Sequence, residues 1–86
     1  MTMPEAAADQ ARAAFATIAR ILQEAGFAVG DIVRVQYTIT DPGFRTEIAP
    51  VLREVLGAVR PAATMVVAGL TEPEMKLEIE VTAFRG

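Results

Sequence analysis

The sequence lacks cysteine, histidine, tryptophan, serine and asparagine altogether. Without cysteine the chain forms no disulfide, and without cysteine and histidine it has no thiolate or imidazole ligands for zinc. The same absences exclude the Ser-His, Cys-His and Ser-Lys nucleophile pairs. Any chemistry must therefore come from carboxylates, arginines, threonines, one lysine, one tyrosine and the backbone, and we expect no metal site.

Charge and hydropathy exclude two further classes of function. Eight basic and eleven acidic residues are interspersed and give a net charge of −3, so no basic face is available to bind phosphates. No apolar run is long enough to cross a bilayer, and the first residues do not resemble a signal peptide. We expect a cytoplasmic protein with no nucleic-acid or membrane partner, folded as a single domain over residues 1–86.

The first part of the chain predicts a helix followed by a strand. Apolar residues at three-and-four spacing predict a helix from about Glu5 to Ala25, which ends before Gly26. Its predicted apolar face comprises Ala11, Ala14, Phe15, Ile18, Ile21, Leu22 and Ala25. Alternation over Ile32–Thr40 then predicts a strand. Its predicted buried face comprises Val33, Val35, Tyr37 and Ile39, with Tyr37 as a core tyrosine.

The other face of this predicted strand is polar but carries little charge. It presents Arg34, Gln36, Thr38 and Thr40, with no lysine or glutamate. A face exposed to bulk solvent is usually more charged. We therefore predict that this face lines a channel, a pocket or an interface.

The second half of the chain predicts one more helix and two strands. Asp41-Pro42-Gly43 marks a turn, and we expect the regular helix to begin close to Pro50 and to end at Gly57. Arg60 precedes a proline and is expected to be extended. Strands are predicted over 62–68 and 77–84. The order α-β-α-β-β predicts a two-layer α+β fold.

Four segments carry a resemblance to a known family. They are the helical run 10–26, the strand start Gly30-Asp31-Ile32-Val33-Arg34-Val35, the segment Arg60-Pro61-Ala62-Ala63-Thr64, and the closing strand Leu77-Glu78-Ile79-Glu80-Val81-Thr82-Ala83. The third lies where the family has Pro-Ala-Arg-Ser/Thr, and the fourth contains its Glu-Ile-Glu signature. In order and spacing, from about Ala7 to Arg85, they resemble the Rid family, also called YjgF or UK114.

The resemblance implies a fold, an assembly and an activity. Rid proteins have a chorismate-mutase-like fold and usually form homotrimers, whose clefts between subunits bind small carboxylated metabolites. Their typical activity is hydrolysis of enamines and imines, as in a 2-iminobutanoate or 2-iminopropanoate deaminase, to 2-oxo acids and ammonia. The resemblance implies no cofactor.

Two departures from the family pattern bear on this expectation. The chain begins where the first helix of the family begins, so the N-terminal strands of the family are expected to be absent or supplied by another segment or chain. Ala63 stands where the family has the arginine that holds the substrate carboxylate, and alanine cannot replace a guanidinium fork. Arg60 and Arg34 are the candidate ligand-binding substitutes, although a structural ion pair is the ordinary role for Arg34.

The resemblance also assigns roles to three other residues. Glu78 matches the catalytic glutamate that orients water near the imine carbon; the alternative is a solvated or ion-paired strand residue. Thr64 and Met65 match positions that line the ligand-binding cleft, although Met65 is equally typical of core packing.

Three hypotheses about function follow. The first is imine hydrolysis of the deaminase type, weakened or altered because Ala63 replaces the arginine. The second is a non-catalytic trimeric module that binds a ligand or a partner. The third follows the older family label, endoribonuclease L-PSP, but an acidic chain without histidine is poorly suited to acid–base cleavage of RNA.

Overall fold

The structure is a computed structural model that describes residues 6–85. Its elements are α1 (Ala7–Glu24), a 3-10 turn (Val29–Asp31), β1 (Ile32–Ile39), α2 (Phe44–Leu56), β2 (Ala62–Val67) and β3 (Leu77–Ala83). The predicted α-β-α-β-β order is confirmed, and the predicted helix start near Glu5 lies outside the described residues. No helix within 6–85 is long and apolar enough to span a membrane.

The three strands form one mixed sheet in the order β2-β1-β3. β1 is parallel to β2 and antiparallel to β3. Two parallel neighbours cannot be joined by a tight turn, so the chain must cross over between them, and α2 makes that crossover. β2 and β3 are the edge strands of the sheet within residues 6–85.

Both helices pack on one face of the sheet and enclose the core. The largest fully buried side chains come from β1 and α2: Ile39, Ile48, Val35 and Val51. From α1, Phe15 and Leu22 are buried, whereas Ile21 is 54% exposed. The predicted apolar face of α1 was too wide at Ile21, which lies about a quarter turn away from the stripe that faces the core. Ala25, which caps the end of α1, is exposed as well.

The predicted alternation of β1 fails at its first residues. Ile32 is buried and Val33 is 47% exposed, the reverse of the prediction. The pairing register with β3 shifts between Ile32 and Arg34, as in a β-bulge. A bulge adds one residue to one strand, so the side chains before it point to the opposite face from the one that strict alternation predicts.

α2 begins at Phe44 rather than near Pro50, so that prediction was wrong. Pro50 is exposed and lies inside the helix, between the buried residues Ile48 and Val51. An interior proline costs about 3 kcal/mol. Fully burying two aliphatic side chains contributes about 1.5–3 kcal/mol each, which offsets that cost and keeps the helix continuous.

Gln10 connects α1 to the segment that leads into β3. Its side chain is only 6% exposed. The amide Nε2 donates to the Glu74 carbonyl at 3.0 Å, and the Oε1 accepts from the Lys76 backbone N–H at 2.8 Å. The Lys76 carbonyl in turn accepts from the Thr40 backbone N–H at 3.0 Å. These bonds hold Lys76 on both sides, and so position the start of β3.

Replacing Gln10 by leucine is expected to destabilise the fold by about 2 kcal/mol, because the part-buried Lys76 N–H and Glu74 carbonyl lose their side-chain partner. The measurement is the free energy of unfolding by denaturant. Gln23→Leu is the matched control: Gln23 is exposed on the same helix, and its substitution should change stability by less than about 0.5 kcal/mol. Equal effects of the two substitutions would contradict this role for Gln10.

Asp31 ties the end of β3 to the turn before β1. Its Oδ2 accepts from Arg85 Nη2 at 2.6 Å and from the Ala28 backbone N–H at 2.8 Å. The Arg85 guanidinium also lies 5.7 Å from the centre of the Phe27 ring. The hydrogen bond from Arg85, followed by the one from Ala28, lowers the pKa of Asp31 below its ordinary value of 3.8.

A lowered pKa makes this contact sensitive to acid. Its stabilising contribution is fully present above the pKa of the unfolded chain and is lost as the pH falls through the lower pKa of the folded state. The Asp31→Asn variant should therefore lose less stability than the wild type between about pH 5 and about pH 2, measured by denaturant unfolding. Asp9→Asn, which removes an exposed ion pair with Arg12, is the control; an equal change in both variants would contradict the assignment.

Candidate functional site

A cleft of about 700 Å³ opens between α2 and β2. The described residues that line it are Tyr37, Ile39, Pro42, Arg45, Leu52, Ala63, Thr64, Met65 and Val67. Val67 is paired with Ile39 and is 54% exposed although Ile39 is buried. The helices thus cover β1 but leave the edge strand β2 uncovered, and this gap forms what we call the α2–β2 cleft.

The floor of the α2–β2 cleft is mostly apolar. The strand register places Tyr37 beside Met65 and Ile39 beside Val67, and Leu52 of α2 lies across from them. A largely apolar lining with a few polar groups is typical of sites for small organic ligands, as is a volume of several hundred Å³.

Tyr37 contributes a polar group to this apolar surface. The residue is 4% exposed, as expected of a core tyrosine. Within residues 6–85 no group forms a hydrogen bond with its hydroxyl. In that range, every fully buried side-chain oxygen has a hydrogen-bond partner, so an oxygen without one must be in contact with solvent. The hydroxyl oxygen is therefore accessible, and it can bond a ligand in the cleft. Burial raises the pKa of Tyr37 above its ordinary value of 10.0, so the hydroxyl stays protonated at neutral pH.

Arg45 contributes the positive charge of the α2–β2 cleft. It lies in the first turn of α2, where its backbone N–H donates to the Pro42 carbonyl at 3.2 Å. Its side chain is exposed and forms no ion pair with any described carboxylate. None of the described lining residues is acidic. The cleft therefore suits an anion with an apolar body.

The structure brings two of the residues predicted for the site together. Thr64 and Met65 both line the α2–β2 cleft, next to Ala63. Met65 also packs against the core, so both roles considered for it are compatible. That they bind a ligand stays a prediction.

Glu78 and Arg34 lie elsewhere, on the sheet face turned away from the helices, which we call the outer face. Glu78 is paired with Thr38, and Arg34 lies between Ala62 and Thr82. Both are exposed, and neither forms an ion pair with a described residue. Glu78 is on β3, and β1 lies between β3 and β2. The backbones of β3 and β2 are therefore two strand spacings apart, which is about 10 Å. One chain alone therefore does not bring Glu78 to the cleft.

Arg60 is not among the lining residues, and its backbone differs from the prediction. It has φ 53°, in the left-handed region, rather than an extended conformation. Its N–H donates to the Leu56 carbonyl at 3.1 Å and closes the end of α2. A left-handed residue commonly follows a helix and permits such a bond, which explains why the preference imposed by Pro61 does not prevail.

The prediction missed Tyr37 and Arg45 as candidate binding residues. Tyr37 was assigned to the core, which is correct for its ring but not for its hydroxyl. Arg45 is not part of any motif that the sequence analysis identified, but it follows the carboxyl end of β1. In open sheets with parallel strands, ligands bind at the carboxyl ends of those strands, and this rule would have drawn attention to Pro42 and Arg45.

The described residues contain no group of three or more carboxylates that could hold a metal ion. That the protein needs no metal and no organic cofactor stays a prediction.

Comparison with known proteins places the chain in a family. The family model for Endoribonuclease L-PSP matches residues 1–85. The chain belongs to this L-PSP family, the YjgF/UK114 family. The resemblance inferred from the sequence is thereby confirmed. No protein among the curated sequences matches.

Solved structures of the L-PSP family share the fold. Rv2704 of Mycobacterium tuberculosis, a member of the YjgF/YER057c/UK114 family, is 31% identical with a TM-score of 0.91, covering 95% of this chain and 70% of that chain. NMB1025 of Neisseria meningitidis, a YjgF member, is 31% identical with a TM-score of 0.90, covering 96% and 71%. Escherichia coli TdcF with bound serine is 32% identical with a TM-score of 0.89, covering 99% and 69%.

These likenesses confirm the predicted chorismate-mutase-like α+β fold. The 86 residues span 70% of the Rv2704 chain, so the remaining part of that relative has no counterpart in them. The family label alone does not specify a reaction, and the chemistry of this L-PSP chain must be argued from its own cleft.

Tyr37 is the only tyrosine and the chain has no tryptophan, so near-ultraviolet absorbance of the phenolate reports this residue alone. We expect its titration midpoint above 10.0 in the folded protein and a return toward that value in denaturant. Because the unfolded chain ionises first, folding stability should fall as the pH rises above about 10.

Tyr37→Phe should abolish this alkaline loss and change stability at neutral pH by less than about 0.5 kcal/mol, because the substitution breaks no hydrogen bond to a described group. A large loss of stability in the phenylalanine variant would contradict an accessible, unbonded hydroxyl.

Proposed function

We propose that this protein binds small 2-oxo acids and their imine or enamine precursors in the α2–β2 cleft, and that it hydrolyses the imines in a homotrimer. The observation that carries the proposal is that an arginine without an ion-pair partner among the described residues and a tyrosine with an accessible hydroxyl line the same cleft, whose floor is apolar. This combination matches a carboxylate attached to a small apolar body.

The proposed reaction needs only water. Water adds to the carbon of the C=N bond, the nitrogen is protonated, and the C–N bond then breaks. The products are a 2-oxo acid and ammonia, and no electrons are gained or lost. A carboxylate that accepts the proton of the attacking water and passes it to the departing nitrogen accelerates both steps. Glu78 is the proposed carboxylate.

A second subunit is needed because Glu78 and the α2–β2 cleft do not meet within one chain. In a cyclic trimer each subunit presents one surface to one neighbour and a different surface to the other. We propose that the outer face of one subunit brings its Glu78 to the cleft of the next. The exposed position of Glu78 on the outer face and the edge strand β2 support this arrangement.

The relatives support a small carboxylated ligand. The E. coli TdcF structure holds serine, an amino acid with a carboxylate and a short side chain. A relative that binds such an acid is consistent with a 2-oxo acid or an imine of similar size as the ligand of this chain.

The test is the rate at which freshly generated 2-iminopropanoate disappears with and without the protein. We expect an acceleration that falls by at least about a hundredfold in Glu78→Gln, while binding of 2-oxo acids persists. Glu80→Gln is the matched control, because Glu80 lies on the same strand and the same face, and it should keep the rate. Equal rates for wild type and Glu78→Gln would contradict the proposed role of Glu78.

Mixing two impaired variants tests whether the site is shared. Arg45→Met and Glu78→Gln subunits, unfolded and refolded together, should regain activity, because about a quarter of the clefts in random trimers would then combine an intact Arg45 with a neighbour's intact Glu78. Mixed subunits without regained activity, or a stable monomer by light scattering, would contradict a site completed by a second subunit.

A non-catalytic binding module is the second candidate. The separation of Glu78 from the cleft within one chain favours it. Binding of 2-oxo acids by a trimer that leaves the imine rate unchanged would establish this alternative in place of hydrolysis.

A further inference from the structure

We infer that Arg45 is the group that holds the ligand carboxylate, and that the cleft selects monocarboxylic 2-oxo acids whose apolar side chain is larger than a methyl group. This inference rests on the proposed function and specifies its ligand. It assigns the anion site to Arg45 of α2, whereas the sequence suggested Arg60 or Arg34 in place of the family arginine.

Arg45 is the one arginine among the described residues that lines the α2–β2 cleft. Arg12 and Arg85 form ion pairs with carboxylates elsewhere in the fold. Arg34 lies on the outer face and Arg60 in the connection before β2. The two arginines that the sequence suggested as substitutes are therefore not in position within one chain.

The surroundings of Arg45 favour a bound anion. No acidic residue is among the described residues that line the cleft, so a ligand carboxylate would not displace an existing partner. A guanidinium can donate two parallel hydrogen bonds to a carboxylate, which fixes its orientation as well as its charge. The accessible Tyr37 hydroxyl adds a neutral donor that suits a 2-oxo oxygen.

The rest of the cleft sets the size and polarity of the ligand. Ala63 presents only a methyl group, and beside it lie Met65, Val67 and Leu52. An arginine at position 63 would occupy part of this space with charge, whereas alanine leaves it open and apolar. A second carboxylate on the ligand would meet this apolar floor, so dicarboxylic 2-oxo acids are disfavoured.

Isothermal titration of the wild type with three probes tests the ligand class. 4-Methyl-2-oxopentanoate should bind on the order of tenfold more tightly than pyruvate, because three more carbons are buried on the floor, and 2-oxoglutarate should bind more weakly than 4-methyl-2-oxopentanoate. Ala63→Leu fills the floor and should remove the advantage of the larger probe over pyruvate. Equal affinities of the wild type for pyruvate and 4-methyl-2-oxopentanoate would overturn the size selection.

Arg45→Met tests the carboxylate contact. Loss of a charged hydrogen bond should weaken 4-methyl-2-oxopentanoate binding by about tenfold to a hundredfold. Arg53→Met, at another exposed position of α2, is the control and should bind like the wild type. Circular dichroism checks that each variant is folded.

The outcomes separate the two proposals. Undiminished binding by Arg45→Met, or an equal loss in Arg34→Met or Arg60→Met, would overturn the inference and remove the support that Arg45 gives to the proposed function, which would then depend on the imine rate alone. If the wild type binds none of the three probes, the proposed function itself fails. Binding that is lost in Arg45→Met and kept in Arg53→Met supports both.

Discussion

The parallel pairing of β1 and β2 is the constraint on which the candidate site depends. Parallel neighbours require a crossover, and α2 is that crossover, so its first turn must follow the carboxyl end of β1. The same geometry leaves β2 at the edge, where no described helix covers it completely. The cleft is thus a consequence of connectivity: it lies where the crossover helix fails to cover the edge strand that it precedes.

The two faces of the sheet have different roles in this protein. The inner face supplies the core and, at β2, the floor of the cleft; the outer face carries exposed polar residues, including Glu78. The catalysis that we propose for Glu78 at the cleft would therefore require assembly, because the sheet itself separates the two within one chain. Ligand binding in the cleft depends less on assembly than catalysis does, since Arg45, Tyr37 and the floor of the cleft all belong to one chain.

The alanine at position 63 and the arginine at position 45 are linked by the geometry of the cleft. Both line it, one from β2 and one from α2. If the arginine that binds the carboxylate is on α2 instead of β2, the cleft keeps an anion site. The space at position 63, beside the rest of the ligand, then becomes open and apolar. Membership of the L-PSP family therefore supports the fold, while the ligand that we propose depends on Arg45 and on Ala63, where this chain departs from the family pattern.

The sequence by itself determined the order of the elements, the family and most of the core, because apolar periodicity and short motifs are local properties of the chain. It also predicted Thr64 and Met65, which line the cleft. Only the tertiary structure decided that α2 runs through Pro50, that Val33 turns outward at a bulge, and that Arg45 and the Tyr37 hydroxyl share a cleft. These depend on packing and on contacts between residues distant in sequence, which no local pattern encodes.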